Sequence, residues 1–506
     1  MTEPESRDSA GPAGSVGRSA ATGAVWLTVQ KWAVRLSGFV TIAILTRFLG
    51  PEDFGTVAAA STVLPFFYLL ADLGFAAYIV QVDRTDRRML STAFWFSALA
   101  GALLCGVLVA VAPLFGLVFD SDEFVPVLQV MSIAVVFTAV SSVPTALLRR
   151  EMRFRALAIQ GTIAALVAQV VAIAMTLTGL GVWALVGQAL ATQLVVAVLA
   201  WFAAGWRPAF LFSRAEFITM TRFGSQVLGV EFVAMCRAWA EAAIISGVLG
   251  IAALGYLNIA QRLVQIVQDL TGAAVVPVST VAFAKIRDFV GRLQAAYLRA
   301  LRMTYALLTP PLTFIAVGAP LIIPIIFGDG WQESIPVAQV LALAGIMVVG
   351  ATLDHGLFYG LGKPGRWFTY ALVIDAITVT VTALTARSGL VAVAFGFLAV
   401  AVVATASRWF LVARLIQASP GMTAAPFIFP AVSVLVSGAA GWGVLTLTGE
   451  LNSFVRLVLV GLTVLLVHLV VVRLLVRPVI DEVAGFLRRS RRSGTGRLRL
   501  ATKEGS

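Results

Sequence analysis

Leu249-Gly250-Ile251-Ala252-Ala253-Leu254-Gly255-Tyr256-Leu257-Asn258-Ile259-Ala260-Gln261-Arg262 joins two long apolar runs, and the second run carries a polar stripe. Asn258, Gln261, Arg262, Gln265, Gln268 and Asp269 recur at spacings of three, four and seven, which places them on one side of a helix. Leu257, Ile259, Leu263, Val264, Ile266 and Val267 take the other side. Lipid would reject the polar side, so inside a membrane it must face protein or water.

The same stretch is echoed near the N-terminus. Leu49, Gly50, Gly55 and Ala60 stand 200 residues before Leu249, Gly250, Gly255 and Ala260, and Ala43-Ile44 matches Ala243-Ile244 at that offset. One shared offset on matching span–turn–span units reads as an internal repeat. Repeated halves are common in transporters, with the substrate site between them.

Composition sets the class. Of 506 residues, 59% are hydrophobic and only 12% charged, and the mean hydropathy is +0.95. This excludes a soluble globular domain and predicts an all-α, polytopic membrane protein. A β-barrel would instead show short alternating segments. The net charge of +12 does not point to nucleic acid, because the basic residues lie in alternate loops and in the tail. Cys105 and Cys236 fall in apolar runs and read as small core residues. His355 and His468 are too few and too scattered for a metal cluster. No metal or cofactor is expected.

Along the chain, residues 1–24 are rich in Gly, Ser, Ala and Pro and read as a disordered cytoplasmic N-terminus. The first apolar run holds Lys31 and Arg35 and is long enough to span, so it is not read as a cleaved leader. About fourteen runs of spanning length follow one another, from 25–47 to 454–476, with the shortest turns near residues 180 and 388. The breaks alternate in charge. Arg84, Arg87 and Arg88, then Arg149 to Arg155, Arg207 and Arg214, Lys285 to Arg292, and Lys363 with Arg366 fill alternate breaks. Glu52-Asp53, residues 120–123, Asp329 and Glu450 mark the others. The positive-inside rule puts the basic breaks and both termini in the cytoplasm, with an even number of spans. Six spans separate the echoed segments, so the halves are parallel repeats. The predicted layout is an N-lobe over 25–210 (spans one to six) and a C-lobe over 211–420 (spans seven to twelve). Two further spans follow over 421–478, then a basic cytoplasmic tail over 479–506 that contacts anionic membrane lipids.

Several motifs carry a resemblance. They are Arg47-Phe48-Leu49-Gly50-Pro51-Glu52-Asp53-Phe54-Gly55, Asp72-Leu73-Gly74, Arg149-Arg150-Glu151-Met152-Arg153-Phe154, and Leu249-Gly250 with Gly255-Tyr256 and Ala260-Gln261-Arg262-Leu263. In order and spacing they resemble the polysaccharide transporter (O-antigen flippase-like) branch of the multidrug/oligosaccharidyl-lipid/polysaccharide exporter superfamily. The branch includes colanic-acid and teichuronic-acid exporters. The resemblance implies two six-helix lobes in a V around a central cavity, often with two extra C-terminal helices. It implies flipping of undecaprenyl-pyrophosphate-linked oligosaccharide across the plasma membrane, alongside a polysaccharide polymerase and glycosyltransferases. Arg262 falls where the related peptidoglycan-precursor flippases carry a cavity arginine, and Arg35 aligns with one in their first span. A second arginine of that span is here Thr41, which argues against the peptidoglycan precursor as cargo.

Charges inside spans cost roughly 2.5–3.5 kcal/mol each at mid-helix and therefore mark function or pairing. Arg262, Arg237, Arg35, Lys31 and Gln265 are the candidate substrate-binding residues. Asp269, Glu241, Asp72 and Asp375 are candidates for ion coupling or charge pairing. Arg237 and Glu241 sit at i,i+4 spacing, so a neutralising pair stands beside the functional reading. For Lys31 and Arg35 the alternative is snorkelling to the cytoplasmic interface. Asp72 follows Ser61, Pro65 and Tyr68 on one helix face. Asp354, Asp375 and Arg408 read as lone charges, open to pairing between helices. Arg302 and Tyr305 read as interfacial anchors. Pro65, Pro144, Pro277 and Pro310-Pro311 lie in or near span interiors, as hinges or as packing kinks.

An arginine-lined site suits a pyrophosphate, which guanidinium meets with two parallel hydrogen bonds. Two other readings stand beside the flippase. A multidrug or small-molecule cation antiporter would use an acidic cavity, for which Glu231, Glu241, Asp72, Asp354 and Asp375 are available. A membrane glycosyltransferase or polymerase would need a catalytic domain that these short breaks do not hold. Gly360-Leu361-Gly362-Lys363-Pro364 also lacks the phosphate-loop spacing. The expectation is a carrier, not an enzyme.

Overall fold

Gly50-Pro51-Glu52-Asp53 starts a helix for three local reasons. Pro51 supplies a preset φ at the first position, two acids face the positive helix end, and Asp53 Oδ2 accepts from the Gly50 amide at 2.8 Å. The computed structural model describes residues 34, 37–82, 84–119 and 121–475. Lys31, Arg35, the 1–24 segment and the basic tail lie outside the described residues, as do the side chains of Glu231 and Pro277. Among the described residues every regular element is helical, and eleven helices are long and apolar enough to cross a membrane. The expected all-α membrane fold is the fold found.

The chain divides into two compact units, Met1–Gly255 and Tyr256–Ser506. The first holds α1 (37–45), α2 (Pro51–Asp72), α3 (Phe75–Gln81), α4 (Arg87–Phe119), α5 (Phe124–Met131), α6 (Ile133–Arg150), α7 (Phe154–Leu177), α8 (Trp183–Ala204), α9 (Arg214–Leu249) and the first turn of α10 (Ile251–Ile286). Here α6 packs on α4 and α8, α7 on α8, and α9 on α2 and α4. One core cluster gathers Phe75, Ile79, Met89, Leu90, Phe94, Val143, Leu147 and Met220.

The run 54–81 reads as one span in the sequence, but the structure bends it. Leu73 and Gly74 take left-handed φ of 46° and 74°, and Asp72 accepts from the Ala76 amide at 3.2 Å, so α3 restarts with a cap. The bend also meets α9 closely. A Cβ on Gly224 would overlap the Leu73 carbonyl oxygen.

Both echoed segments start a helix. Helix α2 begins at Pro51 and α10 at Ile251, 200 residues apart. A Cβ on Gly55 would overlap the Ile251 carbonyl, and a Cβ on Gly255 would overlap the Pro51 carbonyl. The contact is reciprocal, and only hydrogen in place of a side chain permits it on both sides.

The second unit holds the rest of α10, α11 (Val290–Phe327), α12 (Ser334–Val348), α13 (Ala351–Gly360), α14 (Pro364–Thr385), α15 (Leu390–Leu415), α16 (Pro420–Ala424), α17 (Ile428–Leu447) and α18 (Ser453–Leu475). Helix α11 packs against α12, α17 and α18. The C-terminal pair α17–α18 closes on it through Val317, Leu321, Leu445, Val460 and Val464. The short turns expected near residues 180 and 388 are real, with positive φ at Gly179, Gly181 and Gly389.

Prolines inside helices leave the carbonyl four residues earlier without its backbone donor. In a bilayer water does not replace that donor. Four such carbonyls receive a side-chain N–H from a neighbouring helix. Gln129 donates to Val109 (Pro113, 3.2 Å), Trp201 to Val140 (Pro144, 3.1 Å), His468 to Ala306 (Pro310, 2.9 Å) and Gln339 to Ala316 (Pro320, 3.0 Å). For Pro144 and Pro310, this favours packing kinks over free hinges.

Candidate functional site

Helix α10 presents two faces, as the periodicity predicts. Leu257, Ile259, Ala260, Leu263, Val264 and Val267 are buried, whereas Gln261, Arg262 and Gln265 are exposed. Asn258, Gln268 and Asp269 are half-buried, and so is Ile266, which the periodicity assigned to the apolar side. Glycines bring neighbouring helices onto α10. A Cβ on Gly345 of α12 would stand 2.9 Å from Val264 Cγ1, and one on Gly360 of α13 2.8 Å from the Thr280 carbonyl oxygen. The apolar side is thus fixed against α12 and α13, while Gln261, Arg262 and Gln265 of the polar side stay exposed. Arg262 Nε donates to Asn258 Oδ1 at 2.9 Å, one turn earlier on the same face.

On α9, Arg237 Nη1 meets Glu241 Oε1 at 2.7 Å, the i,i+4 pair that the spacing allows. The Arg237 side chain is 36% accessible and that of Glu241 14%, so the carboxylate is the more covered partner. Between them, Trp239 Nε1 donates to the Thr62 carbonyl at 2.5 Å and anchors α9 on α2. Asp72 accepts from Ser142 Oγ of α6 as well as from the Ala76 amide, so it ties α2, α3 and α6 together. Asp375 is half-buried on α14. Thr41, at the position where the peptidoglycan-precursor flippases carry a second arginine, is buried, and its hydroxyl donates to the Ser37 carbonyl at 3.0 Å.

Asp354 and Arg408 are not lone charges. Arg408 Nη1 lies 2.9 Å from Asp354 Oδ2, with side chains only 4% and 3% accessible. Tyr297 Oη donates to Asp354 Oδ1 at 2.5 Å, and Arg408 Nη2 donates to the Met347 carbonyl and Thr405 Oγ1, both at 2.9 Å. Tyr305, read from the sequence as an interfacial anchor, is buried beside this network instead. The network joins α11, α13 and α15 at the α12–α13 break. Sequence reasoning named both charges but had no signal for their partnership, since 54 residues separate them.

Residues 44–336, more than half of the chain, match the family described as polysaccharide biosynthesis protein. The chain belongs to the polysaccharide biosynthesis protein family. Within it, the chain is 28% identical over 366 residues to the succinoglycan biosynthesis transport protein ExoT of Rhizobium meliloti (strain 1021), covering 72% of this chain and 74% of that one. It is 23% identical to the lipopolysaccharide biosynthesis protein WzxC of Escherichia coli (strain K12), over 78% of this chain and 80% of the relative. It is 23% identical to the teichuronic acid biosynthesis protein TuaB of Bacillus subtilis (strain 168), over 66% and 70%. Among solved structures, lipid II flippase MurJ in an inward closed conformation superposes with a TM-score of 0.75 at 13% identity, covering 90% of this chain and all of that one. An inward-facing multidrug resistance MATE transporter of the MOP superfamily superposes with 0.60 at 15% identity, over 78% and 99%. These likenesses establish the fold: the chain is a multi-pass membrane protein with the helical architecture seen in those two structures.

Proposed function

We propose that the protein is a carrier, not an enzyme, that flips an undecaprenyl-pyrophosphate-linked oligosaccharide across the plasma membrane by alternating access. Both termini lie in the cytoplasm, and the carrier works beside the glycosyltransferases and polymerase of a surface-polysaccharide pathway. The observation that carries the reading is Arg262, an exposed guanidinium on a 36-residue helix whose opposite side is packed apolar core. Asn258 holds it by Nε, so the terminal nitrogens are the pair that meets phosphate oxygens in a planar fork. Gln265, one turn on and also exposed, adds an amide for sugar hydroxyls. Arg237 of α9 is a further proposed anion ligand and exchanges Glu241 for phosphate. Lys31 and Arg35 of the first span are further proposed ligands for the phosphates, on their sequence position alone. Asp269 offsets the charge of Arg262 when no substrate is bound, and Asp375 is a candidate for ion coupling.

The cation-antiporter reading asks for carboxylates that a cation reaches. Glu241 is paired with Arg237, Asp354 with Arg408, and Asp72 is engaged by Ser142 and a backbone amide. Those pairings favour the anion-binding reading.

The test is transport at matched protein levels, read as surface polysaccharide or as flipped lipid-linked intermediate. Arg262→Lys keeps the charge and loses the fork, so transport falls in part; Arg262→Ala abolishes it. Normal transport by Arg262→Ala would overturn the assignment of the stripe to substrate.

A further inference from the structure

The connection between α8 and α9, residues 205–213, exposes apolar side chains. Phe210 is 91% accessible, Phe212 61% and Leu211 41%. Facing water, three neighbouring side chains of this kind would be costly, and the aromatic pair contributes most of the area. Arg207 and Arg214 flank them and are exposed too.

The backbone of this connection is fastened to the first turns of α4. Trp95 Nε1 donates to the Ala209 carbonyl at 2.8 Å. The Ala209 amide donates to Ser91 Oγ at 3.0 Å, and the Ser213 amide to Thr92 Oγ1 at 2.9 Å. Phe210 stacks on the Trp95 indole, with ring centroids 4.9 Å apart and planes 22° apart.

These bonds set a depth. Helix α4 is one of the membrane-spanning helices, and Arg87 and Arg88 stand exposed at its start. Ser91 and Thr92, which hold the loop amides, are three and four residues past Arg88, about 5 Å along the helix axis, and the Trp95 indole reaches the same Ala209. The segment that stacks on Trp95 therefore runs back along α4, below the level of the arginines. Non-helical backbone persists at that depth only where its polar groups are satisfied by protein. Ser91, Thr92 and Trp95 supply that satisfaction for Ala209 and Ser213.

We infer that residues 205–213 form a lipid-binding loop sunk into the bilayer interface, with Phe210, Leu211 and Phe212 among acyl chains and Arg207 and Arg214 on the phosphates of anionic phospholipid. Aromatic rings at the headgroup level and guanidinium groups on phosphate oxygens are the chemistry of that boundary. The arginines give the loop a preference for a negatively charged head group over a zwitterionic one, and the rings fix its depth.

Site-directed spin labelling of the full chain in lipid nanodiscs tests the depth. Labels are placed at Phe210→Cys and Phe212→Cys, with Arg88→Cys as reference and Cys105 and Cys236 replaced by Ala. Both loop labels should collide more with oxygen and less with a water-soluble nickel chelate than the reference does. Nickel access at both loop sites equal to or above that at Arg88→Cys would overturn the proposal. The head-group part is read by native mass spectrometry from nanodiscs mixing phosphatidylglycerol and phosphatidylcholine. Arg207→Gln/Arg214→Gln should lower retained phosphatidylglycerol at least twofold relative to phosphatidylcholine. An unchanged ratio would overturn the assignment of these arginines to phosphate.

Discussion

His468 donates from Nε2 to the carbonyl oxygen of Ala306, 2.9 Å away, the acceptor that Pro310 leaves without its helical partner. A carbonyl only accepts, so a proton sits on Nε2, while Nδ1 shares a hydrogen bond with Ser433 Oγ at 2.6 Å. One imidazole therefore closes a break in α11 and fastens α17 and α18 to it.

Loss of this donor should be felt as an orphaned buried carbonyl. His468→Leu is expected to destabilise the protein by ~1–3 kcal/mol. Pro310→Ala restores an amide four residues after Ala306, so Pro310→Ala/His468→Leu should recover much of the loss. Thermal unfolding in detergent, followed by the monodisperse fraction, measures both. A double variant no more stable than His468→Leu would show that the carbonyl is not the cause.

The Asp354–Arg408 pair should behave as a buried ion pair does. Removing one partner strands the other charge, so Asp354→Leu or Arg408→Met should each cost about 3–5 kcal/mol. Asp354→Leu/Arg408→Met together should cost much less, because no uncompensated charge remains. The same unfolding assay reports it, and additive losses in the double variant would count against a direct pairing.

At Gly55 and Gly255 the sign of a substitution is informative. Alanine in a helix interior is ordinarily favoured over glycine by roughly 0.5–1 kcal/mol. Here each new Cβ would meet a backbone carbonyl, of Ile251 or Pro51, and backbone cannot step aside as a flexible side chain can. Gly55→Ala and Gly255→Ala should therefore lower the unfolding midpoint. A raised midpoint in both would show that α2 and α10 do not need this approach.

Topology follows from the alternating charge of the breaks. Reporter fusions after Arg88, Arg155, Arg292 and Lys363 should read cytoplasm, and those near Asp122 and Asp329 the outside. Two or more misplaced fusions would break the span map.

What the chain determined without its neighbours is whatever depends on local geometry. Hydropathy over about 20 residues marks a span, and a period of 3.6 separates Leu263, Val264 and Val267 from Gln261, Arg262 and Gln265, because a helix places residues by spacing alone. The 200-residue echo was legible for the same reason: the two helix starts it marks are each built from nearby residues. Partnership was not. Charge type says that Asp354 needs a cation but not that Arg408 supplies it, since the choice depends on which helices pack against α13. The run 54–81 is apolar on average despite Asp72, so its bend shows only in the backbone, where φ turns positive at Leu73 and Gly74 and the Asp72 carboxylate takes Ser142 of α6 and the Ala76 amide. Likewise, the 200-residue offset put Gly55 and Gly255 in register, and only the packed chain pressed each against the other's helix start, where a side chain has no room.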